Sequence, residues 1–379
     1  MTSKPGSRMH RRHFIRLSVG GALLVAGTAY ALSDRRNVRR TDFPPDEDGP
    51  AAVDGDEKEI LTLAALAPSG HNTQPWFVQR LGPFHWIIGN DRGKWLPAVD
   101  PDQRETLLSL GAFLQNLQYA ADALGYACHW TLLAVTPQDE RVMEVQLTRT
   151  GARTAGQILA MKSRRTVRKD LAREPLSLVD LVHLVEPEPQ FIHYLPTAGS
   201  AADYLSRQTI EANRRQAARD PAQQELAEWI RFSSAEAREK RDGLTTGSME
   251  ITGLTGWVVR NFYGKASVMT ADFRERGLAQ VQQQVAELAG WILITSPGHS
   301  VAELLDTGRR MQRLFLKVRA RGIGLHPMTQ ILEEPATRQE LGPALGLPGT
   351  IQFILRAGYV AHYPPPVSLR RPVSWFLRT

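Results

Sequence analysis

The sequence predicts an α+β fold made of two fused, non-equivalent halves of one chain. Runs with strand character alternate with long amphipathic helices, which is typical of mixed α+β proteins. A segment of the first half also recurs in the second half at a constant spacing. The length of 379 residues, with 42% hydrophobic and 22% charged residues, indicates a globular protein with a substantial core.

The first half is expected to contain a helix, two strands, a second helix and two further strands. Asp56 is predicted to cap a helix over "EKEILTLAALA", which ends before Pro68. The runs "WFVQRL", "FHWIIG", "HWTLLAV" and "VMEVQL" are typical of strands. The run "RETLLSLGAFLQNLQYAADALG" is typical of a long amphipathic helix that Gly125 closes.

An internal repeat connects the two halves. When residues 106–130 are placed over residues 303–327 without gaps, eight positions are identical: Leu107 with Leu304, Leu108 with Leu305, Gly111 with Gly308, Gln115 with Gln312, Leu117 with Leu314, Ala123 with Ala320, Gly125 with Gly322, and His129 with His326. Two amphipathic helices that end in glycine share part of such a pattern without common origin. The matched glutamine and histidine favour duplication, with halves at residues 56–155 and 156–379 and a helical insertion around residues 201–240.

The first 31 residues have the form of a signal peptide. A basic region containing Arg11 and Arg12 precedes a mildly apolar stretch and a small-residue cleavage pattern that ends at Ala31. The arginine pair resembles the twin-arginine consensus, which predicts export in the folded state. The alternative is an uncleaved membrane anchor, but the apolar run is shorter than the roughly 20 residues that span a bilayer. Residues 32–55, including the basic run 35–40, are predicted to be a solvated linker.

The charge of the chain gives no reason to expect a nucleic-acid partner. The formal net charge is +7, with 46 basic and 39 acidic residues. Five basic residues and no acidic residue lie in the signal segment, so the remainder has 41 basic against 39 acidic residues. Nucleic-acid binding requires a clustered excess of positive charge, which this balance does not provide.

The most specific local motif is the loop "APSGHNTQPW" at residues 67–76. Its Pro, Ser, Gly and Asn are turn formers, so a plain connection is the alternative interpretation. The segment resembles the Pro-Ser-x-x-Asn-x-Gln-Pro-Trp element of nitroreductases, in the form found in the two-halved Acg branch. The resemblance implies that five loop residues contact FMN, and that His71 lies beside the flavin or packs the loop. The five are Pro68, Ser69, Gly70, Asn72 and Gln74.

A second motif, "SRRTVR", supplies the donors that a phosphate dianion requires. Arg164, Thr166 and Arg168 alternate, so they would point the same way in an extended chain. A solvated basic patch is the alternative. The motif resembles the Arg-x-Ser/Thr-x-Arg/Lys element that binds the FMN phosphate and ribityl chain in nitroreductases.

Two further segments of the second half agree with the same resemblance. The C-terminal run "ILRAGYVAHYPPPVSLRRP" is similar to the closing strand, proline run and basic pair of that family, which makes Arg370 and Arg371 phosphate candidates. The run "GIGLHPMTQ" resembles the loop beside the flavin ring. Pro327, Met328 and Thr329 are the candidates there, with backbone amides near Thr329 reaching the ring N5.

The distribution of these motifs implies one FMN site in a pseudo-dimer. In dimeric nitroreductases the loop element comes from one subunit and the phosphate and N5 elements come from the other. Here the loop lies in the first half and the other elements lie in the second, so one complete site is expected and its symmetry mate is lost. The fused halves would replace the dimer interface, which predicts a monomer.

Other kinds of site are not supported by the sequence. "GIGLHP" lacks the third glycine and the strand-turn-helix context of a dinucleotide fingerprint. The ten histidines are scattered without metal-ligand spacing, so no metal is predicted. Ser69 and His71 lack the Gly-x-Ser-x-Gly context of a hydrolase. Cys128 is expected to be a packed thiol in a buried strand rather than a nucleophile.

The expected function is that of an exported FMN-dependent oxidoreductase that reduces a small electron-poor acceptor, which the sequence does not name. One alternative is FMN storage or sequestration with little turnover, which a covered flavin ring would favour. Another is a degenerate pseudoenzyme that keeps the fold without the cofactor. Because a non-covalent flavin must be captured where free FMN is abundant, FMN is expected to be loaded in the cytoplasm before export. Because dissolved nicotinamide cofactor is scarce outside the cytoplasm, NAD(P)H is not expected to be the physiological reductant.

Overall fold

The computed structural model describes Val38, Arg40 and residues 55–378, so the predicted signal peptide and most of the predicted linker lie outside it. The α-helices of the described residues are α1 Gly55–Ala64, α2 Arg104–Leu124, α3 Ile158–Ser163, α4 Leu178–Val185, α5 Ser200–Ala218, α6 Asp220–Trp229, α7 Ser234–Lys240, α8 Gly253–Phe262, α9 Lys265–Val268, α10 Ala271–Ala286, α11 Val301–Val318, α12 Gln330–Glu333, α13 Pro335–Leu345 and α14 Val373–Phe376. The strands are β1 Trp76–Gly82, β2 His85–Asn90, β3 Tyr126–Leu132, β4 Arg141–Arg149, β5 Ile192–Pro196, β6 Ile230–Arg231, β7 Leu244–Thr245, β8 Gly290–Ser296, β9 Ile323–Pro327, β10 Thr350–Tyr359 and β11 Leu377–Arg378.

The first half builds a five-stranded sheet in the order β11-β1-β2-β4-β3. Four of the strands are antiparallel neighbours from residues 76–149, as their alternating pattern predicts. The fifth, β11, comes from the C-terminus and pairs parallel to β1, with Leu377 opposite Val78. The end of the chain therefore returns to the first half.

The second half builds an antiparallel four-stranded sheet in the order β5-β8-β10-β9. Every residue of β8 is buried, which explains why "GWILITS" shows no polar alternation. The helices α5 to α10 lie between β5 and β8 in the chain, so the helical insertion runs to Ala286 and is longer than predicted. The third sheet, of β6 and β7 alone, lies within this insertion.

The two halves meet where α2 crosses α11. A Cβ atom built on Gly111 would lie 2.0 Å from the carbonyl oxygen of Leu305, and one built on Gly308 would lie 2.0 Å from the carbonyl oxygen of Leu108. Only glycine allows two helix backbones to approach this closely. The two contacts are equivalent under the sequence repeat, as in the interface of a twofold dimer.

Buried polar side chains at the same crossing repeat this symmetry. Gln312 donates a hydrogen bond to the Asn116 Oδ1 at 2.7 Å, and Arg313 donates one to the Gln115 Oε1 at 2.9 Å. Because the repeat superposes Gln115 on Gln312 and Asn116 on Arg313, each hydrogen bond is the counterpart of the other. The predicted α+β fold class of two fused halves is thus confirmed.

Two local predictions need correction. Helix α1 begins at Gly55 and ends at Ala64, so Asp56 lies inside the helix and accepts a hydrogen bond from the Tyr126 hydroxyl at 2.8 Å. Strand β3 is an edge strand with mostly half-buried or exposed residues, so Cys128 lies on a half-buried rather than a buried strand. None of the helices within the described residues is long and apolar enough to cross a membrane.

The crossing of α2 and α11 generates a stability prediction. Gly111→Ala and Gly308→Ala should each lower the free energy of unfolding by about 1 to 3 kcal/mol, since the new methyl group meets a backbone carbonyl. Gly277→Ala in α10 is the control, because nothing lies within 4 Å of its added Cβ, and it should stabilise by about 0.5 to 1 kcal/mol. Urea unfolding measures all three, and equal stability of the three variants would contradict the prediction.

Candidate functional site

The loop at residues 69–74 has a strained backbone. His71, Asn72 and Gln74 have positive φ angles of 45°, 56° and 54°, which side chains with a Cβ atom rarely adopt. The Ser69 hydroxyl accepts a hydrogen bond from the Gln74 backbone amide at 2.9 Å and closes the loop. Such strain persists only where surrounding contacts fix the conformation, and it is concentrated at functional sites.

Asn72 fixes this loop to the C-terminal segment. Its side-chain amide donates to the carbonyl oxygens of Gly243 at 3.1 Å and Leu369 at 3.2 Å. Its Oδ1 accepts a hydrogen bond from the Arg370 guanidinium at 2.7 Å. In this structure the Asn72 side chain therefore positions Arg370, and both ends of its amide are occupied by protein atoms.

Gln74 positions Arg371, the residue after Arg370, in a similar way. Its Oε1 accepts a hydrogen bond from the Arg371 backbone amide at 2.8 Å, and its side-chain amide donates to the Arg241 carbonyl at 2.9 Å. The Arg371 guanidinium donates to the carbonyl oxygens of Gln74 and Trp76. Arg371 thus holds the loop against β1 and is directed away from Arg370, so the structure does not bring the two predicted phosphate candidates together.

The other predicted arginines contribute to a cluster of positive charge, in which Arg164 is buried and Arg370 is half-buried. Arg164 is 6% exposed, and no described residue accepts a hydrogen bond from its Nε or Nη1. Arg370 donates to neutral acceptors, including the carbonyl oxygens of Leu66 and Ala67 at 3.2 and 2.9 Å. Burial and then the charge of Arg40 lower the pKa of Arg164 to about 10 and that of Arg370 well below its ordinary value. We call Arg40, Arg164 and Arg370 the arginine cluster.

Arg40 corrects the prediction that the basic run 35–40 is solvated. Its side chain is half-buried, and burial lowers its pKa to about 10. Val38 is 8% exposed and packs with Ala237 and Leu369. At these two positions the chain is therefore part of the folded protein.

Arg168, the third cation of the "SRRTVR" motif, lies at the side of the cluster and has protein partners. Its guanidinium donates to the Ser248 carbonyl at 2.8 Å, and its backbone amide donates to the Glu250 carboxylate at 2.9 Å. Arg165 forms an ion pair with the same carboxylate at 2.8 Å. Thr166, between them, is half-buried in a stretch without regular structure.

The segment Pro327–Thr329 follows β9. Pro327 lies opposite Leu355 in the sheet, and Met328 is 2% exposed in an apolar cluster. Thr329 is 9% exposed, and its hydroxyl donates to the Glu333 carboxylate at 3.0 Å. Of the three predicted residues, Thr329 is therefore the one whose side chain belongs to a polar site, while Met328 is part of the core.

A group of carboxylates lies between the loop and Thr329, and the sequence analysis missed it. A Cβ atom built on Gly70 would lie 3.2 Å from the Glu105 Oε2, so Glu105 directly faces the loop. Burial and then the charge of Glu105 raise the pKa of Glu333 to about 8 and that of Asp100 to about 7. At neutral pH, Glu333 therefore keeps a proton beside Thr329.

Arg356 was also missed, although it lies in the C-terminal motif. It is completely buried, and its guanidinium has four acceptors: the carbonyl oxygens of Arg168, Gln284 and Glu287 and the Nδ1 of His326. Burial, Arg168 and Arg356 together lower the pKa of His326 well below its ordinary value. Arg356 therefore holds the backbone of Arg168 in place next to a neutral histidine.

Residues 241–250, here called the cover segment, lie over the loop. Gly243 and Asn72 exchange two hydrogen bonds, each 3.1 Å long. The Glu250 carboxylate, 7% exposed, holds Arg165 and the backbone of Arg168. The predicted loop and the "SRRTVR" motif are thus joined through one segment of the helical insertion.

Neither metal nor thiolate chemistry is indicated. Within residues 38, 40 and 55–378, no group of three or more His, Cys, Asp or Glu side chains could hold a metal ion. Burial raises the pKa of the Cys128 thiol to about 12, so it remains protonated. A cavity of about 500 Å³ lies beside Arg104 and is lined by His299 and Arg338, but no member of the arginine cluster lines it.

Comparison with known proteins finds distant relatives that are named nitroreductases. No protein-family model matches the chain. Two relatives are named NAD(P)H nitroreductases: PigM of Serratia sp. is 24% identical over 79% of this chain and 87% of its own length, and acg of Mycobacterium tuberculosis is 23% identical over 84% and 93%. These similarities agree with the resemblance of the sequence motifs to those of the nitroreductase superfamily. Among solved structures, the FMN-dependent nitroreductase NfnB from Mycobacterium smegmatis, in complex with NADPH, matches 58% of this chain and 96% of its own at 16% identity and a TM-score of 0.34.

The raised pKa of Glu333 generates a prediction for the pH dependence of stability. The folded protein keeps a proton on Glu333 up to about pH 8, whereas the unfolded chain releases it near the ordinary value of 4.5. The contribution of Glu333 to stability should therefore fall as the pH rises from about 4.5 to about 8, by at most about 1.4 kcal/mol per pH unit. Asp100, whose pKa is raised to about 7, contributes a fall of the same sign. Glu333→Gln should remove the contribution of Glu333, leave that of Asp100, and be the more stable protein above pH 7.

Chemical unfolding at a series of pH values tests this prediction. Glu340→Gln is the matched control, because Glu340 is an exposed glutamate on α13 and its removal should leave the profile unchanged. A Glu333→Gln profile that follows the native one would contradict the prediction.

Proposed function

We propose that the protein is an FMN-dependent oxidoreductase of the nitroreductase type that reduces a small electron-poor acceptor. The arginine cluster is the observation that carries this proposal. Arg164 has two buried nitrogens without an acceptor, and no described carboxylate pairs with Arg164 or Arg370. A buried guanidinium requires a partner, and a phosphate dianion provides charge and several acceptor oxygens.

The residues present fit this cofactor. Arg164 and Arg370, with Thr166 beside them, would hold the phosphate, and the loop and Thr329 would lie on the side of the ring. A bound flavin supplies two-electron redox chemistry. The chain fixes the loop through Asn72 and Gln74, and it keeps a proton on the Glu333 carboxyl at neutral pH.

FMN storage is the second candidate function, and the cover segment favours it. The cover segment is joined to the loop through Asn72 and to the "SRRTVR" motif through Glu250, which restricts the approach of an acceptor from that side. A protein that holds flavin without turnover would need such a cover, whereas an oxidoreductase would need the segment to move or the acceptor to enter elsewhere.

The native protein should purify yellow with about one FMN per chain. Arg164→Ala and Arg370→Ala should each reduce FMN affinity by about tenfold or more, since a charge-assisted hydrogen bond contributes about 1.5 to 3 kcal/mol. Lys162→Ala is the control, because Lys162 is exposed two residues before Arg164, and it should keep its flavin. Flavin released on denaturation measures the content; two FMN per chain, or none after reconstitution of the native protein, would contradict the single site.

Reduction of the same preparation separates the two candidate functions. Dithionite should bleach the flavin in either case. Rapid reoxidation by a nitroaromatic or quinone acceptor would establish an oxidoreductase, whereas slow reoxidation by every acceptor would favour storage. Rapid reduction by NADPH would contradict the expectation that the physiological reductant is a different redox carrier.

We also propose that the protein is exported by the twin-arginine machinery after it has bound FMN in the cytoplasm. The proposal rests on the signal sequence and on the depth at which the arginine cluster is buried. Replacement of Arg11 and Arg12 by lysine should leave FMN-bound precursor in the cytoplasm, and a general-secretory signal should deliver protein without flavin. Fully loaded protein in the periplasm from the general-secretory form would refute cytoplasmic loading; cell fractionation with flavin assay makes the measurement.

A further inference from the structure

Arg40 comes from a part of the chain that precedes both halves of the fold. Val38, two residues earlier, is buried against Ala237 of α7 and against Leu369. Leu369 immediately precedes Arg370 in the chain. The packing of Val38 therefore brings this stretch next to the C-terminal member of the arginine cluster.

The charge of Arg40 acts on both other members of the cluster. After burial, it is the first cause of the lowered pKa of Arg370, and it contributes in the same direction to Arg164. Three guanidinium groups from the N-terminal stretch, the "SRRTVR" motif and the C-terminal segment thus converge within range of mutual repulsion.

Some other buried arginines pair with carboxylates, whereas Arg356 and Arg371 are held by backbone carbonyl oxygens and, for Arg356, by His326. Arg231 pairs with Asp242 at 2.6 Å, and Arg310 pairs with Glu188 at 2.5 Å. Among the described residues, Arg164 has no such partner and Arg370 has only neutral acceptors and the Asn72 amide. Because Arg40 adds a third positive charge beside Arg164 and Arg370, the arginine cluster favours a strongly charged anion over a neutral group.

We propose that Arg40 is a third phosphate-binding residue, which the N-terminal stretch contributes to the single flavin site. This inference rests on the proposed flavin function. It assigns a role to Arg40, which precedes the two halves in the chain. It also predicts that Arg40 recognises the terminal phosphate of the cofactor and contributes nothing to recognition of the isoalloxazine ring.

Comparison of FMN with riboflavin isolates the phosphate, because riboflavin lacks it. Protein freed of flavin is titrated with each compound, and quenching of flavin fluorescence gives the two dissociation constants. Arg40→Ala should raise the dissociation constant for FMN about tenfold and leave that for riboflavin unchanged. Arg40→Lys should recover part of the loss. Arg207→Ala, which removes an exposed arginine of α5, is the control and should change neither constant.

Inorganic phosphate provides an independent measurement. It should compete with FMN for the native protein and compete less well for Arg40→Ala. If removal of flavin unfolds the protein, the rate of FMN release after dilution of the loaded protein replaces the titration, and Arg40→Ala should release FMN about tenfold faster.

The outcomes separate the two proposals. A native protein that binds neither flavin would overturn the flavin function itself. A native protein that binds FMN, together with an Arg40→Ala variant whose ratio of FMN to riboflavin affinity is unchanged, would overturn the role of Arg40 alone.

Discussion

The close crossing of α2 and α11 is the contact on which the rest of the molecule depends. Gly111 and Gly308 each leave room only for a backbone carbonyl of the other helix, so the two axes are held at a short fixed distance. Helix α2 packs on the strands of the first sheet and α11 on those of the second. Because the contact is self-complementary under the repeat, it reproduces a twofold dimer interface within one chain.

An interface of this symmetry would allow two equivalent sites, but the chain is not symmetric outside it. The strained loop lies in the first half, whereas Arg164 and Arg370 lie in the second, and the hydrogen bond between Asn72 and Arg370 connects them. Strand β11 adds a further connection, since the C-terminus pairs with β1. We therefore expect a single candidate site, because the C-terminal segment of the second half packs on the first half and no equivalent segment of the first half is described on the second.

The sequence predicts most of the helices and strands, which depend on periodic patterns, and few of the contacts between residues that are far apart in the chain. We could predict helix α2 from its apolar period and from Gly125 at its end, because both depend on residues within about one helical turn. The repeat of Gly111 and Gly308 is likewise visible in the sequence. The hydrogen bond between Gln74 and Arg371 could not be predicted, because the two residues lie 297 positions apart and meet only after the halves pack. The prediction for Arg40 failed for the same reason: its surroundings in the sequence are polar, whereas Val38, two residues earlier, packs against the distant residues Ala237 and Leu369.

The balance of buried charge bears on whether the site binds an anion or is a relic. An unpaired buried cation destabilises a folded protein by several kcal/mol, because the protein replaces neither its hydration nor a counter-ion. A ligand that binds only the folded state offsets this cost, and the stabilisation grows with the logarithm of the ligand concentration once the site is saturated. A degenerate chain without cofactor would carry the cost of Arg164 and Arg370 permanently, whereas a chain that binds a phosphate dianion there carries it only until the site fills. The two nitrogens of Arg164 for which no described residue is an acceptor therefore support our proposal that the protein binds a phosphate anion.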